Sequence, residues 1–452
     1  MTKDEIIKLL ESTNQQKVRI AITDTDGIMR GKTMLRDKFL EALDSGFGFC
    51  DVVFGWDAND KCYTNTDFTG WHTAYPDANA HIHSNTFRYI PWNNNLPFFI
   101  ADFSDKSGKG LDVCPRTLMK RIEMQAKEMG YSAKFSQEFE WFNFLASSNE
   151  LNEKGFSNLK PISPGMFGYS VSRPSQYQEY FNELFDFMDA FDVTLEGLHT
   201  ETGPGVYEAA IRFDEVLRAS DKAVLFKNSV KEIAYRHGII ASFMAKWNAD
   251  LPGCSGHVHQ SLWDSEGKRN LFYEGSNETQ MTKTMQAYLA GVLYCMPYIM
   301  PMYAPTINSY KRLREGAWAP TSVSWGFENR TTAVRVIDGS EKSSRLEVRL
   351  PGADVNPYLA MAASLASGLY GIKNNLKLEL SPTKGNAYEQ SDLKPLPDNL
   401  LKATQMMKTS DVAKDLFGEG FVKHFCQTRE WEWKEFSAAV TNWELKRYFE
   451  II

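Results

Sequence analysis

The spacing of hydrophobic and polar positions changes character near residue 105. Ahead of that point, Thr2 and Glu5 form a capping-box pattern before Ile6, Ile7, Leu9 and Leu10, which predicts a short amphipathic helix. The segment VRIAITDTDGIMRGKTM (18–34) predicts two strands around an Asp26-Gly27 turn. Aromatic-rich, turn-studded sequence follows and ends in the strand-like FFIADF (98–103), so residues 1–105 read as a small, mostly β unit. Beyond the linker SDKSGKG (104–110), helical stretches are predicted at 115–130, 175–191, 212–237, 278–296 and 356–372, with another pair beyond 397. Asn356 can cap the 356–372 helix and Pro357 fits its first turn. Small residues such as Ala360, Ala363 and Gly368 allow it to pack closely. Short strands lie between these helices, which makes the whole chain α+β, with a second and larger domain over 106–452.

Four of those short segments share one pattern, two polar or charged residues separated by one. They are Glu138-x-Glu140, His199-x-Glu201, His257-x-His259 and Glu347-x-Arg349. Residues i and i+2 of a strand point to the same face. The intervening Phe139, Val258 and Val348 suit a packed opposite face. One such pair alone is the ordinary pattern of a sheet's solvated side. Four of them, three beside glycine- or proline-bearing loops, predict one surface that gathers carboxylates, imidazoles and an arginine. Clustered carboxylates raise one another's pKa unless cations neutralise them. Oxygen ligands with an occasional imidazole suit Mg²⁺ or Mn²⁺ better than zinc.

Composition narrows the class. A chain of 452 residues predicts more than one domain, and 43% hydrophobic with 24% charged residues is ordinary globular usage. The net charge of −7 argues against nucleic-acid binding and suits a cationic partner such as an amine. Six scattered cysteines without a CxxC pair read as free thiols in a reducing compartment. No signal peptide is predicted, because the N-terminus has early acidic residues and no apolar stretch. Residues 287–305 carry no charge, but Pro297, Pro301 and Pro305 each remove a helix donor. A buried helix ending near Met296, then an irregular packed segment, is expected there. The protein therefore reads as soluble and cytoplasmic, with no membrane partner.

Phosphoryl chemistry needs cations, together with arginines that stabilise charge on the transferred oxygens. The second half supplies Arg312, Arg330, Arg335, Arg345 and Arg349 in SYKRLREGAWAP, GFENRTTAVRV and SSRLEVRL. No GxxxxGK[ST] loop and no GxGxxG at a strand–helix junction is present, so metals and arginines would have to hold a nucleotide.

Taken in order, the ExE pair, ETGPGVYEAAI, GHVHQSLW, NSYKRL…AP, WGFENRTTAVRV and RLEVRLPGADVNPYLAMAASLASGL closely resemble the glutamine synthetases. The resemblance runs from VRIAITDTDGIMRG to WELKRYFE. It implies an N-terminal β-grasp domain and a catalytic domain with a curved antiparallel sheet and flanking helices. It implies homo-oligomeric rings, two stacked hexamers making a dodecamer, with active sites between subunits. Carried over by position, Glu140, Glu201 and Glu208 look like ligands of the metal nearest glutamate. Glu138, His257 and Glu347 look like ligands of the metal nearest the ATP phosphates. Arg312, Arg330 and Arg349 match positions that handle glutamate and the migrating phosphoryl group, and Gly253 a glutamate contact. Glu196, Phe213, Ser261, Arg335, Lys342 and Arg345 match ATP contacts. The implied reaction uses ATP, glutamate and an amine, passing through an acyl phosphate.

The sequence departs from the family pattern at the amine. Ammonia-using members carry a glutamate just before the Ala-Pro of the segment matching REGAWAP, and here that position is Trp318. An apolar ring supplies no negative charge to a small cation. The family's DGSS loop is also missing, with Asp57 in GWDANDKCY (55–63) as a substitute. The loop before HVH reads LPGCSG where an asparagine would grip glutamate. These changes point to an amine larger than ammonia, as in the γ-glutamyl-polyamine, -ethanolamine and -alkylamine ligases. The alternatives are a glutamine synthetase with a rearranged ammonium pocket and a non-catalytic structural relative.

Overall fold

The computed structural model describes residues 2–13, 15–105, 107–275 and 281–452. Helix α1 (Lys3–Ser12) opens with the expected capping box between Thr2 and Glu5. Strands β1 (Lys17–Thr23) and β2 (Met29–Leu35) form the expected hairpin, and Gly27 in its turn takes φ +81°, a conformation that favours glycine. Helix α2 (Arg36–Ser45) and strands β3 (Phe47–Cys50), β4 (Asp77–Ile82), β5 (Arg88–Ile90) and β6 (Leu96–Ser104) complete this part. The sheet runs β2-β1-β6-β4-β3 with β5 also on β6, and β1 is parallel to β6. Phe39 and Ala42 of α2 seal its inner face against Ile20 and Phe99.

The second sheet is larger. After α3 (Pro115–Glu128) come β7 (Tyr131–Leu145), α4 (Ser148–Glu153), α5 (Gln178–Ala190), β8 (Leu195–Thr200), β9 (Val206–Ile211) and β10 (Asp214–Glu215). Then follow α6 (Val216–Arg236), β11 (Ile239–Ser242), β12 (Gly256–Asp264), α7 (Lys283–Cys295) and α8 (Ser309–Arg312). Strands β13 (Trp325–Phe327), β14 (Val334–Ile337) and β15 (Arg345–Val348) precede α9 (Pro357–Lys373). Helices α10 (Leu400–Thr409), α11 (Asp411–Phe417), α12 (Glu419–Ala438) and α13 (Asn442–Tyr448) close the chain. The strand order is β13-β14-β15-β12-β7-β9-β8, with β10 and β11 also on β7. Every described pair in it is antiparallel except β13–β14.

Some boundaries differ from expectation. Residues beyond 397 fold into four helices, because Ser410 and Thr441 cap new starts and Gly418, at φ +80°, breaks the run between α11 and α12. Asp214 and Glu215 pair with Phe135 and Lys134 of β7, so α6 begins only at Val216. The first residues of the helix expected over 278–296 lie outside the described residues. The proline-bearing segment after α7 packs as two buried 3₁₀ turns, as expected, and no described helix is long and apolar enough to cross a membrane.

Side chains alternate across β7. Phe135, Phe139 and Trp141 enter the core behind the sheet, where Phe139 stacks on Phe226 of α6 at 5.8 Å. Helix α9 lies against α7 so closely that a Cβ on Gly368 would sit 2.0 Å from the Tyr288 ring. Several polar ties join the N-terminal sheet to this core. Asn356 caps α9 and donates 3.1 Å hydrogen bonds to the Asp24 and Thr25 carbonyls. Arg116 on α3 bridges Asp102 of β6 at 3.0 Å and Asp221 of α6 at 2.9 Å.

Candidate active site

On the face of the large sheet opposite that core, the spaced polar pairs line up across strands. Glu138 pairs directly with His257, Glu140 with Glu208, and Glu208 with His199. His259 pairs with Glu347, and Glu347 with Arg335. Period-two alternation and antiparallel register together put all of these side chains on one surface. They line a cavity of about 1060 Å³ that also takes in Glu201, Gly253, Arg312, Trp318, Arg330, Arg345 and Arg349.

Two clusters stand out. His199, Glu201 and Glu208 offer ligand atoms within 4.8 Å of one another, and so do Glu138, His259 and Glu347. His257 joins the second cluster, its Nδ1 lying 3.3 Å from Glu138 and 3.4 Å from Glu347. Its Nε2 is buried with no hydrogen-bond partner among the described residues. Both oxygens of Glu140 are engaged by Ser255, one by the amide at 2.9 Å and one by the hydroxyl.

Electrostatics separates the carboxylates. Burial raises Glu208 far above the usual carboxylate range, and the charges of Glu138, Glu140 and Glu201 add to it. Burial also raises Glu140, against the Ser255 hydrogen bonds. Glu347 is buried too, but the Arg349 guanidinium and His257 hold it down at about 2. Burial, followed by the Arg349 charge, pushes His257 down to about 4, so its ring is neutral. A neutral imidazole with an orphaned nitrogen, set among crowded carboxylates, is a donor set that fits a divalent cation.

The arginines line the same cavity. Arg349 binds Glu347 through Nη1 and the Arg330 carbonyl through Nε at 3.0 Å. Arg312 is buried and donates from Nη2 to the Leu350 carbonyl at 2.6 Å, while its Nε has no partner among the described residues. Gly253 touches it, and a Cβ there would lie 2.6 Å from Arg312 Cγ. Arg335 reaches Glu347 at 3.0 Å, Arg345 donates to His259 Nδ1 at 3.1 Å, and Arg330 lines the cavity with an exposed side chain. Trp318 takes φ +55° and exposes 66% of its surface.

Five singled-out residues stay outside this cavity. Glu196 and Lys342 are exposed, and Phe213 is 43% exposed between β9 and β10. Ser261 shares the face of His257 and His259 but accepts from Trp263 Nε1 at 2.9 Å. Asp57 accepts from Trp431 Nε1 at 3.0 Å and from loop amides of its own chain. The sequence pattern places His199 and His259 on this surface without assigning them to an ion or a substrate, and it gives Tyr169 no role; all three line the cavity. The two histidines carry a signal in their i, i+2 spacing. Tyr169, stacked on His199 at 4.5 Å, sits in an irregular loop and carries none.

Comparisons with known proteins agree with this geometry. Residues 112–448 match the glutamine synthetase catalytic domain family. The chain is 47% identical over 453 residues to "Type-1 glutamine synthetase 2" of Dictyostelium discoideum, covering 100% of this chain and 87% of that one. It is 36% identical over 457 residues to the glutamate–isopropylamine ligase of a Pseudomonas species, covering 100% and 99%. A solved structure of GmaS without ligand superposes with a TM-score of 0.85 at 26% identity, covering 98% of each chain. The chain belongs to the glutamine synthetase family of ATP-dependent ligases.

Proposed function

We propose that this protein joins the γ-carboxylate of glutamate to an amine larger than ammonia, consuming ATP. The observation that carries the reading is Trp318, an exposed indole on the cavity wall beside Arg349, at the position where ammonia-using relatives carry a glutamate. An indole welcomes an alkyl substituent and offers no charge to ammonium. Tyr169, on the His199 side of the same cavity, adds a second aromatic face.

In the first step an oxygen of the γ-carboxylate attacks the γ-phosphorus of ATP and ADP departs, leaving an acyl phosphate. In the second, the nitrogen of a neutral amine attacks the acyl carbon, the C–O bond to phosphate breaks, and the amine proton passes to a nearby base. Two anions must meet in the first step, and Arg312, Arg330 and Arg349 are the groups we assign to lower that repulsion. The partnerless Nε of buried Arg312, with Gly253 packed against it, supports glutamate binding there. Mg²⁺ or Mn²⁺, when bound, supplies further charge neutralisation. Glu140, Glu201 and Glu208 would hold one ion, and Glu138, His257 and Glu347 another, with His199 and His259 close enough to join them. ATP would contact Arg335 and Arg345, and farther along the sheet Glu196, Phe213, Ser261 and Lys342. The assembly would be a dodecamer of two stacked hexamers, with Asp57 serving a neighbouring subunit's amine pocket. We place the domain boundary at 105/106, between β6 and α3.

A second reading, ammonia-dependent glutamine synthesis, is favoured by the name of the 47%-identical Dictyostelium relative. Phosphate release dependent on ATP and glutamate, with isopropylamine, ethanolamine or ammonium as acceptor, separates the two.

A further inference from the structure

A cavity of about 320 Å³ lies between the β3–β4 loop, the linker from β6 to α3, and α12. Phe68, Leu111, Val113 and His424 line it, and it shares no lining residue with the catalytic cavity. His424 is 3% exposed, and neither of its ring nitrogens has a hydrogen-bond partner among the described residues. Burial, followed by the Arg429 charge, keeps the ring neutral. The Phe68 ring meets it edge to face, with centroids 5.7 Å apart and planes at 69°.

The charges around this cavity are already paired. Lys423 binds Asp67 at 2.8 Å, and Gln427 donates to the same carboxylate at 2.9 Å. Lys109 lies 3.6 Å from Asp112, and Asp105 accepts from the Ser107 hydroxyl and from the amides of Ser107 and Lys109. Among the described lining residues no charge is left over for an ionic ligand, which calls for a neutral occupant. A buried polar group without a partner costs about 1–3 kcal/mol, and a hydroxyl answers one imidazole nitrogen. The two rings set edge to face offer a flat aromatic ring both stacking and edge contacts. The volume is about twice the roughly 150 Å³ that holds benzene in an engineered apolar cavity.

We propose that this cavity binds a small neutral phenol, with its hydroxyl on His424 and its ring against Phe68, Leu111 and Val113. An occupant there bridges the N-terminal part of the chain and α12, whose Arg429 already holds Asp26.

Phenol itself is the probe, titrated calorimetrically into the full-length protein without ATP, glutamate or metal. Benzene, which lacks the hydroxyl, and cyclohexanol, which lacks the flat ring, are the controls. Phenol is expected to bind, and each control to bind at least about fivefold more weakly, the size of one net hydrogen bond or one aromatic contact. His424→Leu should weaken phenol binding by at least about fivefold. Gly420→Leu should abolish it, because a Cβ there points to Asp112 of the same cavity and meets nothing nearer than 3.6 Å. That second variant keeps the test decisive even where His424→Leu disturbs folding. Crystals soaked in phenol should show its oxygen within hydrogen-bond distance of a His424 ring nitrogen. Absence of phenol binding, either control binding as tightly as phenol, undiminished binding in Gly420→Leu, or phenol seated elsewhere in those crystals each overturns the proposal. None of these readings depends on turnover, so they stand apart from the choice of amine.

Discussion

Arg349 Nη2 donates to the backbone carbonyl of Trp318 at 3.5 Å, which ties the residue we propose faces the amine to one we propose handles the phosphoryl group. The contact is made by the main chain, so the identity of the side chain at 318 can change while the arginine keeps its place. The indole itself is exposed, and its replacement costs little packing.

Trp318→Glu is therefore expected to shift preference without loss of fold. The ratio of kcat/KM for ammonium to kcat/KM for a bulky amine should rise by about tenfold or more, because a bound ammonium gains a carboxylate partner. Steady-state phosphate release with both acceptors reads this ratio. An unchanged ratio would mean that Trp318 does not shape the pocket.

Glu347→Ala should reduce phosphoryl transfer by about 10²-fold or more. Glu347 contacts His257, Arg335 and Arg349, so its loss removes a ligand candidate and leaves two guanidinium groups without their buried carboxylate. Single-turnover ADP formation is the measurement, and near-normal rates would count against the assignment.

Divalent ions should raise thermal stability in the absence of substrate. Glu208 is pushed up first by burial and then by Glu138, Glu140 and Glu201, a repulsion that a cation removes. At a hundredfold excess over Kd the gain is about 2.7 kcal/mol. Glu208→Gln should shrink the rise seen with Mg²⁺ or Mn²⁺. A melting temperature indifferent to both ions and to chelation would contradict the metal assignment.

The strands that carry chemistry were legible in sequence because an i, i+2 pair must share a face. Glu138-x-Glu140 and His257-x-His259 both lie as expected. Their cross-strand partners were not legible, since pairing of β7 with β9 and β12 joins residues distant in sequence, 68 positions apart in Glu140–Glu208 and 119 in Glu138–His257. That is why the spacing puts His199 and His259 on the surface without saying which carboxylates they join, and why it does not show the engagement of Glu140 by Ser255. Local signals did well where the physics is local: the Thr2 box and the Asn356 cap both form. They misjudged 212–215, where tertiary pairing to β7 overrides the helical pattern.

Acid should destabilise the protein through His424. It is buried, neither ring nitrogen has a hydrogen-bond partner among the described residues, and burial with the Arg429 charge pushes it from 6.5 down to about 4. Between those values the unfolded chain takes up a proton that the native state resists. This contribution is intact above pH 6.5 and lost as pH falls towards 4, at roughly 1.4 kcal/mol per pH unit. Denaturant unfolding across this range should give a flatter curve for His424→Leu than for the wild type. Parallel curves would contradict the assignment.

Arg116 should matter to stability out of proportion to its one side chain. It holds Asp102 and Asp221 together between the two sheets, all three buried. Arg116→Ala leaves the buried Asp221 without a cationic partner among the described residues, while Asp102 keeps Lys120 and His83, and should cost about 3–5 kcal/mol in chemical denaturation at fixed protein concentration. A cost below about 1 kcal/mol would show that the tie is dispensable.

The most direct test of the ligase assignment compares kcat/KM for ammonium with that for isopropylamine and ethanolamine, with ATP, glutamate and Mg²⁺ held constant and the γ-glutamyl product identified by mass. An indole on the cavity wall in place of a carboxylate predicts a γ-glutamyl amide with at least one organic amine, and a higher kcat/KM for it than for ammonium. Ammonium as the best acceptor would contradict the assignment of a larger amine, and no phosphate release with any acceptor would contradict catalysis itself.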